Sequence, residues 1–294
     1  MAAYTTYDTV GIKEDVDDII SNISPTKTPF QTLIGSDKTR NRHFEWLEDS
    51  LADAQDNANV EGFDATEATL VPPVLRDNYT QIFEKTIKVS ATEDAVDQYG
   101  RRKETAYQLA KGMAEVKRDV ERAYVGVSQA KVAGDATATA RRTASADQMV
   151  DAAVTIAGGT AALTEDMLLD CAEACYGEGA EPNVFMIKPA DARIVAGFTA
   201  SSGRQRDFRN ESKLVNVVDL YVSPYGEFRV VLNRFLKSTN AWLLDGSMWS
   251  EVTLRPFSRT QLAKTGDNEK HMIVGEKGLK NKNFLSSGLI NALT

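Results

Sequence analysis

The sequence predicts an α+β fold in which an N-terminal arm and a protruding hairpin precede one long helix, an α/β middle and a β-rich end. Three observations carry that prediction. Leu109, Met113, Val116, Val120, Ala123 and Val127 step by four and three residues alternately, the spacing of one apolar stripe on a long helix. Residues 44–70 hold eight acids (Glu45, Glu48, Asp49, Asp53, Asp56, Glu61, Asp64, Glu67) and no Lys, Arg or His, between two strand-like runs. Beyond residue 213, short β-rich runs follow one another across turn residues, and no internal repeat of solenoid or propeller length is visible.

Along the chain, Ile12, Val16, Ile19, Ile20 and Ile23 fall at helical spacing with Lys13 and acids between them, which predicts a short amphipathic helix. Ser24-Pro25 and Thr28-Pro29 should stop it, because a residue before proline is pushed out of the helical region, and an extended arm should follow. Residues 40–51 and 71–91 read as strands, the second alternating through Tyr79, Ile82, Thr86, Ile87 and Val89. A connection as long as the acidic stretch is unusual inside a compact domain, so a hairpin projecting from the body is expected, with a mobile surface loop as the alternative. The long helix should span residues 97–127, about 45 Å at 1.5 Å per residue.

Residues 133–146 are small and polar and read as a loop. Thr164 with Glu165 and Asp166 behind it is an N-cap signal, because a hydroxyl and early acids satisfy free amides and the helix dipole; that helix should end at Gly177 and Gly179. A buried strand over 183–187 leads to Pro189, which should open a short helix over 190–196 ended by Gly197. Strands over 214–223 and 227–233 flank Pro224-Tyr225-Gly226 as a hairpin. Further strands are expected at 241–244, 251–256 and 270–279, the last across the Thr265-Gly266-Asp267-Asn268 turn.

Composition narrows the function classes. Apolar residues make up 42% and charged ones 26%, close to the globular norm, so the chain is expected to bury a full core. The net charge of -8 disfavours a general nucleic-acid binder, which draws on many cations, yet suits a wall that encloses DNA without gripping it. No run of roughly 20 apolar residues could span a membrane and the start lacks a signal-peptide layout, so a soluble product made in the cytoplasm is expected. Cys171 and Cys175 are too few for a disulfide framework.

The search for chemistry yields little. His43 and His271 sit in no metal-binding pattern and are expected on a surface or an interface. Cys171 and Cys175 share a helix face without further ligands, as small core residues do. Gly158-Gly159-Thr160 lacks the frame of a phosphate loop. Arg204, Arg206 and Arg209 form a basic cluster whose ordinary role is a subunit contact or a solvated turn, with DNA contact the other option. No catalytic, cofactor-binding or metal-binding residue is assigned.

Asn22-Ile23-Ser24-Pro25-Thr26-Lys27-Thr28-Pro29-Phe30, followed by His43-Phe44-Glu45-Trp46, resembles the start of the SU10-like major capsid proteins of tailed phages. Leu254-Arg255-Pro256, Leu262-Ala263-Lys264-Thr265-Gly266-Asp267 and the stretch from Ile273-Val274-Gly275-Glu276 to Lys282-Asn283 resemble that family's closing strands, and Ala133-Gly134-Asp135-Ala136-Thr137 with Arg141 adds a third match. The resemblance implies a Hong Kong 97-type capsid fold: an N-terminal arm (1–38), an extended loop with flanking strands (39–96), a peripheral domain with a spine helix (97–150), an axial domain (151–248), and terminal strands that return to the peripheral domain (249–294).

On that resemblance the chain is a head protein that assembles with itself as hexamers and pentamers into an icosahedral shell around double-stranded DNA, without sequence-specific contact and without a membrane. Some relatives join a loop lysine to a neighbour's asparagine; no lysine lies between Lys38 and Lys85 here, so that bond is not expected. Other relatives carry a fused scaffolding domain, whereas this chain begins almost directly with arm sequence, so a separate scaffolding protein is expected, beside a portal protein and a decoration protein. The acidic residues Glu45, Asp53, Asp56, Glu61 and Asp64 should lie on a neighbour's basic surface. Arg101, Arg102, Lys103, Lys117, Arg118 and Arg122 are the candidates for that surface. An encapsulin-like compartment, told apart by its packaged content, is the first alternative. The second is a soluble α/β enzyme with a site in residues 151–248, told apart by a small oligomeric state.

Overall fold

The computed structural model describes residues 26–52, 54–65, 67–96, 103–198 and 220–294. The helix expected over 12–23, the start of the long helix at 97–102 and the cluster of Arg204, Arg206 and Arg209 lie outside these residues. The first half contains α1 (Pro29–Leu33), β1 (Gly35–Lys38), β2 (His43–Glu48), β3 (Val74–Tyr79), β4 (Gln81–Ser90), α2 (Ala91–Ala95) and α3 (Glu104–Glu121). Then come β5 (Thr155–Ala157), α4 (Glu165–Gly177), β6 (Val184–Ile187), α5 (Ala192–Phe198), β7 (Leu220–Ser223) and β8 (Gly226–Leu232). The chain closes with β9 (Ala241–Leu244), β10 (Trp249–Gln261), β11 (Asn268–Asn281) and β12 (Gly288–Asn291).

These strands form a four-stranded sheet in the order β1-β10-β11-β4, a six-stranded sheet in the order β5-β12-β9-β6-β8-β7, and the separate pair β2-β3. β10 and β11 are a long antiparallel hairpin, interrupted by register shifts near Arg255, while β1 lies parallel to the first residues of β10. One apolar core joins α1 and α3 to both large sheets through Phe30, Val116, Val120, Tyr124, Trp242 and Trp249. A second lies between the six-stranded sheet and the helices α4 and α5, around Leu168, Phe185, Leu243 and Ile290.

α3 presses on the four-stranded sheet through its smallest residue. A Cβ on Gly112 would stand 2.9 Å from Ile87 Cδ1 and 3.2 Å from Ile273 Cδ1, so glycine lets the helix approach. The buried stripe is the expected one at Val116, Val120 and Ala123, with Leu109 and Val127 half-buried, and only Met113, at 37%, is exposed. The described helix is also shorter than expected, 18 residues or about 27 Å. It widens into a π turn over Arg122–Gly126 that buries Ala123, Tyr124 and Val125.

Several expectations need correction. The segment expected as an extended arm holds a helix at Pro29, which opens α1, where its fixed φ suits the first helical position. Gly197 does not end the helix after Pro189; a 3-10 turn over Pro189–Asp191 runs into α5, which continues through it. His271 is buried, not on a surface. The Thr164 cap holds, its hydroxyl accepting from Met167 N at 3.2 Å. β12 is unannounced in the sequence because four residues carry too little pattern. It runs parallel to β5 and antiparallel to β9, so residues 249–294 are divided between two sheets.

β12 enters beside the two thiols. A Cβ on Gly288 would overlap Cys171 Sγ and stand 2.8 Å from Cys175 Sγ, so only glycine fits. The neighbouring Cys175 sulfur and burial push the Cys171 thiol well above its usual range, which leaves it an inert core group. Gly288→Ala is expected to cost about 1–3 kcal/mol by overpacking. Adding Cys171→Ala should recover part of that loss in denaturant unfolding; no recovery would refute the clash.

Candidate functional site

The acidic stretch begins and ends on the β2-β3 pair, in register from His43 opposite Tyr79 to Glu48 opposite Val74. The inner face of the pair holds it to the body. Phe44 and Trp46 form a small core with Val252, and Glu48 accepts from Arg76 Nε at 2.5 Å and from Phe284 N at 3.0 Å. The outer face carries His43, Glu45 and Leu47 opposite Tyr79, Asp77 and Leu75. The His43 ring stacks on Tyr79 at 4.6 Å and its Nε2 meets Asp77 Oδ2 at 3.0 Å. Lys131 donates to the other Asp77 oxygen and, with His43, holds that carboxyl below its usual range against the opposing effect of burial.

Residues 49–73 join the two strands without a helix or strand among the described positions. Their hydrogen bonds are local, as from Phe63 N to Val60 O at 3.2 Å and from Ala58 N to Asp56 Oδ1 at 3.3 Å. The expected hairpin therefore exists only at its base. The loop also exposes large apolar groups, Leu51 at 97%, with Val60, Phe63, Leu70 and Val71. An isolated chain gains nothing by holding such side chains in water.

The candidate acids fall on this element: Glu45 is exposed on β2, 3.9 Å from His43, and Asp56, Glu61 and Asp64 are exposed in the loop, while Asp53 lies outside the described residues. Among the candidate cations, Arg101 and Arg102 are outside the described residues, Lys103 lies 3.9 Å from Asp94, Lys117 and Arg122 are exposed, and Arg118 is half-buried. No ion pair among the described residues joins the loop acids to these cations. Asp77, Lys131, Leu47 and Leu75 belong to the same surface and were missed. Strand alternation across the pair was the signal that could have found the two leucines.

Two buried acids fasten α1 and the 133–146 loop to the rest of the fold. Glu121, fully buried at the end of α3, accepts from Phe30 N at 2.8 Å, Gln31 N at 3.0 Å and Asn233 Nδ2 at 2.7 Å, and Gln31 Nε2 reaches it at 3.1 Å. It caps α1, whose Pro29 brings no N–H, and so ties α1 to the end of α3. Burial pushes the Glu121 carboxyl above its usual value despite these donors. Glu276, buried on β11, accepts from Arg141, from Arg255 Nε at 3.0 Å and from Thr80 Oγ1 at 2.7 Å. Arg141 Nε in turn donates to Thr80 O at 2.5 Å, which pins the 133–146 loop to the sheet.

No group of three or more His, Cys, Asp or Glu that could hold a metal occurs among the described residues, and no described helix is long and apolar enough to cross a membrane. The comparisons agree with a structural role. The family model of the SU10 major capsid protein matches residues 3–294. The major capsid protein of Escherichia phage Phieco32 is 30% identical over 337 residues, covering 98% of this chain and 96% of that protein. Among solved structures, the capsid of a native GTA particle superposes with a TM-score of 0.67 at 11% identity, covering 96% of each chain. A structure from Mycobacterium phage Cain gives 0.64 at 14% identity over 100% of this chain and 99% of that one. The SrpI encapsulin of Synechococcus elongatus gives 0.62 at 9% identity over 96% and 93%.

Proposed function

Because the chain belongs to the SU10 major capsid protein family and has the Hong Kong 97-type fold, it is a phage head-shell subunit, and we propose how its copies close that shell. They do so as hexamers and pentamers around double-stranded DNA, the loop over 49–73 of one copy lying on a basic surface of the next. The observation that carries this reading is the loop itself, an exposed run of acids and large apolar side chains whose acids have no ion-pair partner among the described residues. Weak contacts of this kind reinforce one another in a closed assembly, because each tethers the next at high effective concentration.

In this reading Glu45, Asp53, Asp56, Glu61 and Asp64 face Arg101, Arg102, Lys103, Lys117, Arg118 and Arg122 of a neighbour. The arm comprises residues 1–38 and the loop with its strands 39–96. The peripheral body is built from 97–150 with most of 249–294, and the axial body from 151–248 with β12 added. A scaffolding protein, a portal protein and a decoration protein complete the particle, which is assembled in the host cytoplasm. The encapsulin neighbour shares the fold; the family match favours the phage shell.

Electron microscopy with light scattering on the protein, alone and co-expressed with a scaffolding protein, tests this directly. Closed shells tens of nanometres across are expected, and a persistent monomer or dimer would overturn the reading. Asp56→Lys, Glu61→Lys and Asp64→Lys together should reduce shell yield while leaving the subunit's melting temperature unchanged, since all three are exposed. Unchanged shell yield would sink the electrostatic part.

A further inference from the structure

We infer that residues 121–131, at the end of α3, form a mechanical link between α1 and the β2-β3 pair, so that the seating of one sets the freedom of the other. Both elements are fastened to this one short piece of chain. At its start Glu121 accepts from Phe30 N and Gln31 N of α1. At its end Lys131 donates to Asp77 of β3, whose other carboxyl oxygen meets His43 Nε2 of β2 at 3.0 Å. Gln129 adds a second tie: its Nε2 donates to Gln81 Oε1 at 3.0 Å where β4 begins, with only Thr80 between Gln81 and the end of β3.

What lies between the two attachments is closely packed, and a packed interior passes strain on because it compresses little. Tyr124 and Val125 are buried, Val125 O accepts from Lys237 N at 3.0 Å, and a Cβ on Gly126 would overlap Phe235 O. The backbone here is the π turn over Arg122–Gly126, a form found mostly as single turns and frequently at functional sites. Farther on, Gln129 N donates to Ser145 Oγ at 2.9 Å and Ser145 N donates to Gln129 O at 3.0 Å, which holds the last part of the link in place.

The β2-β3 pair has reason to depend on this link. It is a sheet of two strands, hydrogen-bonded to neither larger sheet, and a two-stranded ribbon is marginal by itself. Phe44, Trp46 and Glu48 hold its inner face. On its outer face Lys131 is, among the described residues, the one ion-pair partner that comes from outside the pair. The use of the link in a shell rests on the proposed function, which makes α1 the root of the arm and the pair the root of the loop; the link itself is a property of the single chain.

The test is hydrogen exchange on the full-length subunit, read at single amides. Asp77→Ala and Lys131→Met alter side chains outside the core, and each should speed exchange at Gln31 and Ile34 of α1 and its cap about two- to fivefold. The two together should do no more than either alone, because both break one tie. Glu48→Gln loosens the same pair from its inner face without touching residue 131, and should leave those amides unchanged. In the reverse direction, Glu121→Gln should speed exchange over 74–79 by a similar factor, since coupling is reciprocal, and should lose that effect when Lys131→Met is also present. Amides of α1 that ignore Asp77→Ala, or that respond as much to Glu48→Gln, would overturn the link. Either result is read on the single subunit and leaves the shell reading to its own test.

Discussion

Glu121→Ala is expected to destabilise the subunit by about 3–4 kcal/mol, among the largest effects of any single substitution, because it strands the buried Phe30 N–H and leaves the Asn233 amide only the weak acceptor Met186 Sδ at 3.4 Å. Phe30 N–H and the Asn233 amide both lie within the core around Glu121, which is fully buried. Denaturant unfolding measures the loss, and hydrogen exchange at Phe30 and Gln31 should rise more than at the amides of β11. Equal increases at both would mean that Glu121 supports the core in general and does not specifically cap α1.

The same group predicts a pH dependence. The folded-state value of Glu121 is raised above the ordinary glutamate value, chiefly by burial, so the folded chain binds this proton more tightly than the unfolded chain. Its contribution is therefore fully present below about 4.5 and is lost as pH rises through the raised value. Measured against Glu121→Gln, which cannot ionise, the wild-type chain should gain stability as pH falls through that window. A flat difference would refute the shift.

Glu276→Leu is expected to cost about 3–5 kcal/mol, because Arg141 would be left with an uncompensated charge at a largely buried position. Arg255, whose side chain is 56% exposed, can turn to water and contributes little to that cost. The pair is less valuable than the penalty suggests. Arg141→Leu together with Glu276→Leu should recover most of the loss, since removing both charges also removes their desolvation. Unfolding of the two single variants and the double variant in urea decides; a double variant as unstable as Glu276→Leu alone would show that the loop over 133–146 depends on the charges themselves.

Much of the architecture was legible in the sequence because it rests on local rules. The Thr164 cap, the positive-φ Gly179 after α4 and the two-residue turn before Gly226 are decided within a few residues, and the alternation in 71–91 identifies β3 and β4. The acids of the loop stand out because a run without a cation is visible in one dimension. What only the tertiary structure decided depends on residues far apart in the chain. Glu121 reads as one more charged helix residue until Phe30, 91 positions away, and Asn233, 112 positions away, close over it. Glu276 acquires its role from Arg141 across 135 positions. Gly112 and Gly288 look like weak points in a helix and a strand, yet they are where packed elements come closest. Periodicity reports which side of an element is apolar, whereas burial, and with it the cost of a charge or the need for a glycine, is set by whatever packs against that side.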